Sequence, residues 1–210
     1  MRVNTGTFMI LAVCTGNVCR SPQAEQLLRS RIPLALQRND IPELRVTSAG
    51  SFGLEGFSMD GPAHDEAVRM GVTDAGLHVA RRMHVSHVRA ADLVLGLSRE
   101  HRGAAVSLEP AAHRRAFTLV EFARITEAMA EGHVEHSVAG LGATDFASFM
   151  HAVVAAAAQG RGKLAPPAAQ DEFDIIDPYR LSANVYRESA DAIEANVARI
   201  AGALSRLAGP

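Results

Sequence analysis

Cys14-Thr15-Gly16-Asn17-Val18-Cys19-Arg20-Ser21-Pro22 directly follows the apolar run Phe8-Met9-Ile10-Leu11-Ala12-Val13. An apolar run of this length is too short to span a membrane and is typical of a buried strand. Ser21 as N-cap and Pro22 at the first helical position are typical of a helix start. The stretch therefore predicts a strand, a tight loop and a helix, an arrangement in which backbone N–H groups converge on an anion.

The residue types in this loop suit the binding and attack of a phosphate. The loop amides and the helix N-terminus can surround the phosphoryl oxygens, and the planar guanidinium of Arg20 can bind two of them. A thiol in such surroundings can supply a reactive thiolate, so Cys14 is the predicted nucleophile. The predicted phosphate-binding residues are Thr15, Gly16, Asn17, Val18, Cys19, Arg20 and Ser21.

Several loop residues allow more than one interpretation. Gly16 permits close backbone approach and Asn17 tolerates a left-handed conformation. The Ser21 hydroxyl either donates to the thiolate or caps the helix. Cys19 either forms a reversible disulfide with Cys14 or simply packs. The spacing alone also fits a capped turn with a structural cysteine.

Composition places the chain among ordinary soluble globular proteins. It has 210 residues, of which 48% are hydrophobic and 21% charged, with a net charge of -2 and two cysteines. The charge gives no support for nucleic acid or an anionic membrane as a partner. No signal peptide, membrane insertion or disulfide framework is predicted, which indicates a reduced, cytoplasmic protein.

Short apolar runs alternate with helical patterns along the chain, which predicts parallel strands joined by crossovers. Strands are predicted within 3–13 and at 44–48, 93–97 and 116–119. Helical patterns cover 24–32 and 63–70, and another follows Ser98. A further pattern runs from the fourth strand to about Met129, and the last begins behind Ser182 as an N-cap. Pro33 and Pro42 are predicted to bracket the connection to the second strand.

The segment from about Thr126 to Glu172 has a different character and is predicted to be a helical insertion in a single domain, 1–210. Its apolar stripe consists of Phe146, Phe149, Met150, Val153, Val154 and Ala157. The insertion could be a lid, a surface for a protein partner or a packing appendage, and its apolar stripe favours packing.

Asp177-Pro178-Tyr179 offers the proton that phosphoester cleavage requires. Pro178 stiffens the loop and holds Asp177 extended, so that a carboxylic acid occupies a defined position with an aromatic ring beside it. Most Asp-Pro pairs only start turns, and the triplet gains its significance from the cysteine loop.

Together these motifs resemble the low-molecular-weight protein-tyrosine-phosphatase family. The family's Cys-x5-Arg-Ser loop matches Cys14 to Ser21, its Ser-Ala-Gly strand end matches Ser48 to Gly50, and its Asp-Pro-Tyr matches 177–179. The resemblance covers about 8–124 and 173 to the C-terminus. It implies a three-layer, flavodoxin-like α/β fold with a four-stranded parallel sheet, and a reaction without metal or other cofactor.

The resemblance also implies roles for individual residues. Cys14 would attack phosphorus, Arg20 and the loop amides would hold the oxygens, and Asp177 would protonate the phenolate and then activate water. Ser48 would orient the loop through Asn17. The pocket would be walled by Thr15, Val18 and Tyr179, with Phe52, Leu54 or Phe57 opposite. The implied substrate is a protein that carries phosphotyrosine.

Two departures from the family pattern fall near the predicted pocket rim: Leu97-Ser98 replaces Met-Asp, and Arg180 replaces Gly. Three other functions remain open. A protein-arginine phosphatase has the same fold, but that branch resembles this loop with Thr at the position of Val18. An arsenate reductase would depend on a small thiol, because no cysteine follows Cys19. The third is a non-catalytic phosphotyrosine-binding module.

Overall fold

The computed structural model describes residues 6–138 and 145–209, and its described strands form one parallel sheet in the order β2-β1-β3-β4. These strands are β1 (Phe8–Cys14), β2 (Leu44–Gly50), β3 (Leu93–Gly96) and β4 (Ala116–Thr118). Every neighbouring pair is parallel. The predicted α/β fold with a four-stranded parallel sheet is confirmed; residues 3–5 of the first predicted strand lie outside the described residues.

Helices connect the strands. They are α1 (Arg20–Ala35), α2 (Gly61–Arg69), α3 (Val85–Ala90), α4 (Arg99–Leu108), α5 (Leu119–Ala130), α6 (Phe146–Gly160) and α7 (Ala183–Ala208). Short 3₁₀ helices occur at Ala75–Leu77, Pro110–Arg115 and Gln170–Phe173. No helix within the described ranges is long and apolar enough to cross a membrane.

The two faces of the sheet bury different residues because side chains alternate along a strand. Ile10, Ala12 and Cys14 of β1 belong to a core shared with α1, α5, α6 and α7. Leu11 and Val13 belong to a second core shared with α3 and α4. Helices therefore cover both faces, as predicted, and the C-terminal end of β1 lies between them.

The start and the end of α1 differ from the sequence prediction. The helix begins at Arg20, two residues before the predicted first helical residue Pro22, and Cys19 takes the N-cap position. Ser21 was wrongly predicted as the cap because its hydroxyl is used inside the loop instead. Pro33 lies inside α1, where it is buried near the helix end and leaves little helix beyond it to disrupt.

The segment predicted to be an insertion, from about Thr126, begins inside a helix. Thr126 lies within α5, and its hydroxyl donates to the carbonyl of Phe122 at 2.8 Å. Residues 139–144 of the predicted insertion lie outside the described residues. Within α6, the apolar stripe is buried, and the ring of Phe146 packs edge-on against Phe8 with centroids 6.4 Å apart. The stripe thus packs into the core at the N-terminal end of β1.

Candidate active site

The loop between β1 and α1 is held in shape by the side chain of Asn17. This residue is fully buried and has a φ of 58°, in the left-handed region that asparagine tolerates. Its amide nitrogen donates to the hydroxyls of Ser21 at 2.9 Å and Ser48 at 2.8 Å. Its amide oxygen accepts from the backbone of Arg81 at 2.9 Å. Asn17 therefore connects the loop to the end of β2 and to the segment that precedes α3.

Cys14 lies at the base of this loop and is 2% exposed. Its sulfur is 3.0 Å from the hydroxyl of Ser21 and accepts from the backbone N–H of Asn17 at 3.3 Å. Both groups can donate a hydrogen bond to the sulfur. Ser21 is therefore placed beside the sulfur, the first of its two predicted alternatives.

The second thiol, that of Cys19, is buried and free like that of Cys14. Burial, followed by the nearby carboxylate of Asp60, raises the pKa of Cys19 far above its ordinary value. Cys19 is therefore a neutral thiol at physiological pH.

Arg20 is 4% exposed and is fixed from two sides. Its Nη1 donates to the carbonyl of Ile175 at 2.9 Å, and its Nη2 forms an ion pair with Asp177 at 2.5 Å. The buried Nε–H has no hydrogen-bond partner within the described part of the chain. A buried donor without a partner is costly, so this arrangement favours an anionic ligand in the loop.

The loop that carries Asp177 is docked on the end of β3 and the start of α4. Ile175 donates its N–H to the carbonyl of Leu97 at 2.9 Å, and Arg99 binds Asp174 through its backbone at 2.7 Å and its guanidinium at 2.8 Å. Burial alone would raise the pKa of Asp174, but the hydrogen bonds from Arg99 hold it below its ordinary value. The carboxylate of Asp177 itself accepts from the N–H of Tyr179 at 3.2 Å.

These groups meet in a pocket of about 160 Å³. Its lining consists of Cys14, Thr15, Gly16, Val18, Cys19, Arg20, Phe52, Leu54, Asp177 and Tyr179. Phe57, proposed as an alternative wall, does not line it and is 63% exposed. Arg180 has a φ of 63°, and its guanidinium lies 5.0 Å from the centroid of the Tyr179 ring. A cavity of about 150 Å³ is large enough for a benzene ring, so the pocket fits an aromatic group.

Two histidines beside the loop were missed by the sequence analysis. His78 donates from Nε2 to the carbonyl of Asn17 at 2.7 Å, and Nε2 of His101 is 3.0 Å from the hydroxyl of Thr15. Burial, followed by the charge of Arg20, lowers the pKa of His101 to about 4. Its spacing from Ser98 was the one available signal. Ser98, predicted at the pocket rim, does not line the pocket but caps α4 and contacts His101.

Clusters of three or more His, Cys, Asp or Glu side chains that could hold a metal ion do not occur in residues 6–138 and 145–209. The pocket brings together the thiol of Cys14, the guanidinium of Arg20 and the carboxylate of Asp177.

Comparison with known families and proteins identifies relatives of this chain. The model of the family described as low molecular weight phosphotyrosine protein phosphatase matches residues 9–165. The protein-tyrosine-phosphatase Etp of Escherichia coli K12 is 39% identical over 101 residues, which cover 48% of this chain and 62% of that protein. The probable protein-tyrosine-phosphatase EpsP of Ralstonia nicotianae is 35% identical over 188 residues, which cover 90% of each chain.

A solved structure extends the comparison to the fold. The YwlE arginine phosphatase of Geobacillus stearothermophilus superposes with a TM-score of 0.59 at 27% identity, over 92% of this chain and 90% of that one. The family match ends before Asp177. The place of this carboxylate beside Arg20 is therefore known from the structure.

Proposed function

Because this chain belongs to the low molecular weight phosphotyrosine protein phosphatase family, we propose that it hydrolyses phosphotyrosine in proteins through a phosphocysteine on Cys14. The observation that carries the proposal is the meeting of three groups in one pocket: the thiol of Cys14, the guanidinium of Arg20 and the carboxylate of Asp177. A module that only bound phosphotyrosine would need neither the thiol nor the carboxylic acid.

In the first step, the thiolate of Cys14 attacks phosphorus and forms a P–S bond. The bond from phosphorus to the phenolic oxygen breaks, and the electron pair goes to that oxygen, which takes a proton from Asp177. The loop amides and Arg20 stabilise the charge on the phosphoryl oxygens. Tyrosine leaves as the neutral phenol.

In the second step, water attacks the phosphorus of the phosphocysteine. Asp177, now a carboxylate, accepts a proton from this water, the P–S bond breaks, and the thiolate of Cys14 is regenerated with release of inorganic phosphate. Ser21 and the N–H of Asn17, both in contact with the sulfur, support it as a leaving group.

The ion pair between Arg20 and Asp177 has a consequence for the order of events. A bound phosphate takes up N–H groups of Arg20 and so weakens the hold of Arg20 on the carboxylate. Substrate binding therefore releases the Asp177 carboxyl group from its ion pair, so that it can turn towards the phenolic oxygen.

The walls of the pocket favour phosphotyrosine over phosphoarginine. Val18, Phe52 and Leu54 present apolar surface to the group that enters, and an aromatic ring matches this surface better than a charged guanidinium. Phosphoserine has no ring to pack against these apolar walls. Arg180 above Tyr179 adds positive charge at the mouth, which suits acidic residues around the phosphotyrosine.

The compartment and a further partner also belong to this proposal. The reaction requires a free thiol at Cys14, which the reducing cytoplasm maintains.

A protein partner of the insertion would contact its polar surface, because the apolar stripe of α6 is buried. The cavity of about 1030 Å³ between α6 and the N-terminal end of the sheet is the surface that such a partner would meet.

The proposal is tested with the purified chain on matched peptides that carry phosphotyrosine, phosphoserine or phosphoarginine, and on arsenate with glutathione. We expect phosphotyrosine turnover that continues in the presence of EDTA. Cys14→Ser abolishes turnover, and Asp177→Asn lowers kcat by about 10²–10⁴-fold. The exposed Asp171→Asn is the matched control and keeps wild-type rates.

Other outcomes would identify a different function. Faster turnover of phosphoarginine than phosphotyrosine would assign the arginine branch, and arsenate reduction without phosphatase activity would assign a reductase. Tight binding of phosphotyrosine peptides without turnover would assign a binding module. Full activity of Cys14→Ser would contradict the proposed nucleophile.

A further inference from the structure

His101 forms a bridge between the start of α4 and the phosphate loop. It lies in the first turn of α4 and is 2% exposed. Its Nδ1 is 2.8 Å from the hydroxyl of Ser98, and its Nε2 is 3.0 Å from the hydroxyl of Thr15. His101 and Ser98 do not line the pocket, whereas Thr15 does. Of the two side-chain hydrogen bonds of His101, the one to Thr15 is therefore the one that leads to the pocket.

The hydrogen bonds at Ser98 determine which ring nitrogen carries the proton. The Ser98 hydroxyl oxygen accepts from the backbone N–H of His101, as an N-cap does, at 3.4 Å. Its own proton finds Nδ1 as acceptor among the described residues. The opposite tautomer would leave this nearly buried hydroxyl hydrogen without an acceptor, which is costly. The low pKa of His101 keeps the ring neutral, so the single proton lies on Nε2.

With this tautomer, the hydrogen bonds of Thr15 have a defined direction. Its hydroxyl oxygen accepts from Nε2 of His101 at 3.0 Å and from Nη2 of Arg20 at 3.4 Å. Both lone pairs are then occupied. The remaining hydroxyl hydrogen points away from both donors and is available to an oxygen of a phosphoryl group in the pocket that Thr15 lines.

We propose that His101, set by Ser98, is a positioning residue that holds the Thr15 hydroxyl as a hydrogen-bond donor to the phosphoryl group. The inference rests on the phosphatase function proposed above and adds a side-chain donor to the loop amides and Arg20. If His101 only supported the cap of α4, its replacement would lower the stability of the protein, and the effect would not depend on the hydroxyl of Thr15.

The test measures phosphotyrosine-peptide kinetics and inhibition by inorganic phosphate in the full chain. His101→Phe removes both ring nitrogens at similar size. In the Thr15→Ser background, which keeps the hydroxyl, we expect it to lower kcat/KM and the affinity for phosphate about tenfold, as one lost hydrogen bond to a charged group does. In the Thr15→Val background, which lacks the hydroxyl, the same change has less than a twofold effect, because coupled residues are not additive.

Controls separate this inference from folding and from the function itself. His133→Phe, at an exposed histidine, keeps wild-type kinetics, and His101→Gln restores part of the loss because its amide can donate to Thr15. If His101→Phe does not fold, Ser98→Ala is compared in the same two backgrounds. Equal losses in both backgrounds would overturn the positioning role, whereas an inactive wild type would overturn the proposed function instead.

Discussion

At the scale of single residues, the site depends on buried polar side chains that satisfy one another. Asn17 supports the loop with three side-chain hydrogen bonds, and Ser48 passes one of these contacts on to Glu25 at 2.6 Å. Such a network is rigid when complete, and the removal of one member leaves the others unpaired. A small change at Asn17 should therefore affect the shape of the whole loop.

Two substitutions of Asn17 distinguish its side chain from its backbone. Asn17→Gly keeps the left-handed backbone without strain but loses the hydrogen bonds, and we expect it to lower the free energy of unfolding by about 1–3 kcal/mol. Asn17→Ala should lower the free energy of unfolding by about 1 kcal/mol more than Asn17→Gly, because alanine is strained at this φ. Urea unfolding measures both values. Equal stability of the two variants would show that the backbone conformation is unimportant.

His101 should make the stability of the protein depend on pH. The folded protein holds its pKa at about 4, against an ordinary value of 6.5. Between these values the unfolded chain binds the proton and the folded chain does not, so stability is lost as the pH falls from 6.5 towards 4. The full loss is about 3 kcal/mol. Urea unfolding at pH 6.5, 5.5 and 4.5 should show a smaller loss for His101→Gln, and an identical loss would contradict this account.

At the scale of elements, two segments are anchored by arginines. Arg99 at the start of α4 holds the loop that carries Asp177, and Arg161 directly after α6 holds the end of that helix. In each case the planar guanidinium binds several acceptors at once, which lysine cannot reproduce. The two anchors differ in location. Arg99 lies near the pocket, and Arg161 lies near the N-terminal end of the sheet.

Loss of the first anchor should affect catalysis more than binding. Arg99→Ala removes the guanidinium that binds Asp174 and keeps only the bond from the backbone N–H. The loop can then let Asp177 move, while the loop amides and Arg20 still bind phosphate. We expect kcat to fall about tenfold with little change in the inhibition constant of inorganic phosphate, because misplacement of an acid costs rate. Glu100→Ala, at the next residue of α4, is the control. A large change in phosphate affinity without a change in kcat would be inconsistent with this role.

Loss of the second anchor should affect stability alone. Arg161 stacks 3.9 Å from the centroid of the Phe117 ring and donates to Glu121 at 2.9 Å and to the carbonyl of His113 at 2.8 Å. We expect Arg161→Gln to lower the free energy of unfolding by about 1–3 kcal/mol through these lost contacts. Arg114→Gln, at an exposed neighbour of the same cavity, is the control. Phosphotyrosine kinetics should be unchanged, and a fall in kcat would show that the insertion acts on the pocket.

At the scale of the whole molecule, the sequence predicted most of the elements that depend on local patterns, but few of the contacts between residues distant in the chain. The strands and the long helix α7 follow from local apolar patterns, and the loop from the spacing of Cys14 and Arg20. The bridge from His101 to Thr15 joins positions 86 residues apart and has no local pattern. Likewise, Pro33 looks like a boundary locally, but its burial in α1 overrides that preference.

Helix α6 should unfold together with the rest of the chain. Phe146 and Phe149 of α6 share one core with Phe8 of β1 and with Cys14 at the far end of the same strand. We therefore expect a single calorimetric transition, and Phe149→Ala should lower the stability of the whole molecule by about 3–5 kcal/mol. The alkylation of Cys14 should increase over the same range of urea concentration in which the helical signal is lost. Phe149→Ala should shift both transitions to the same extent. Two separate transitions, with Cys14 still protected after the first, would show that the insertion is an independent unit.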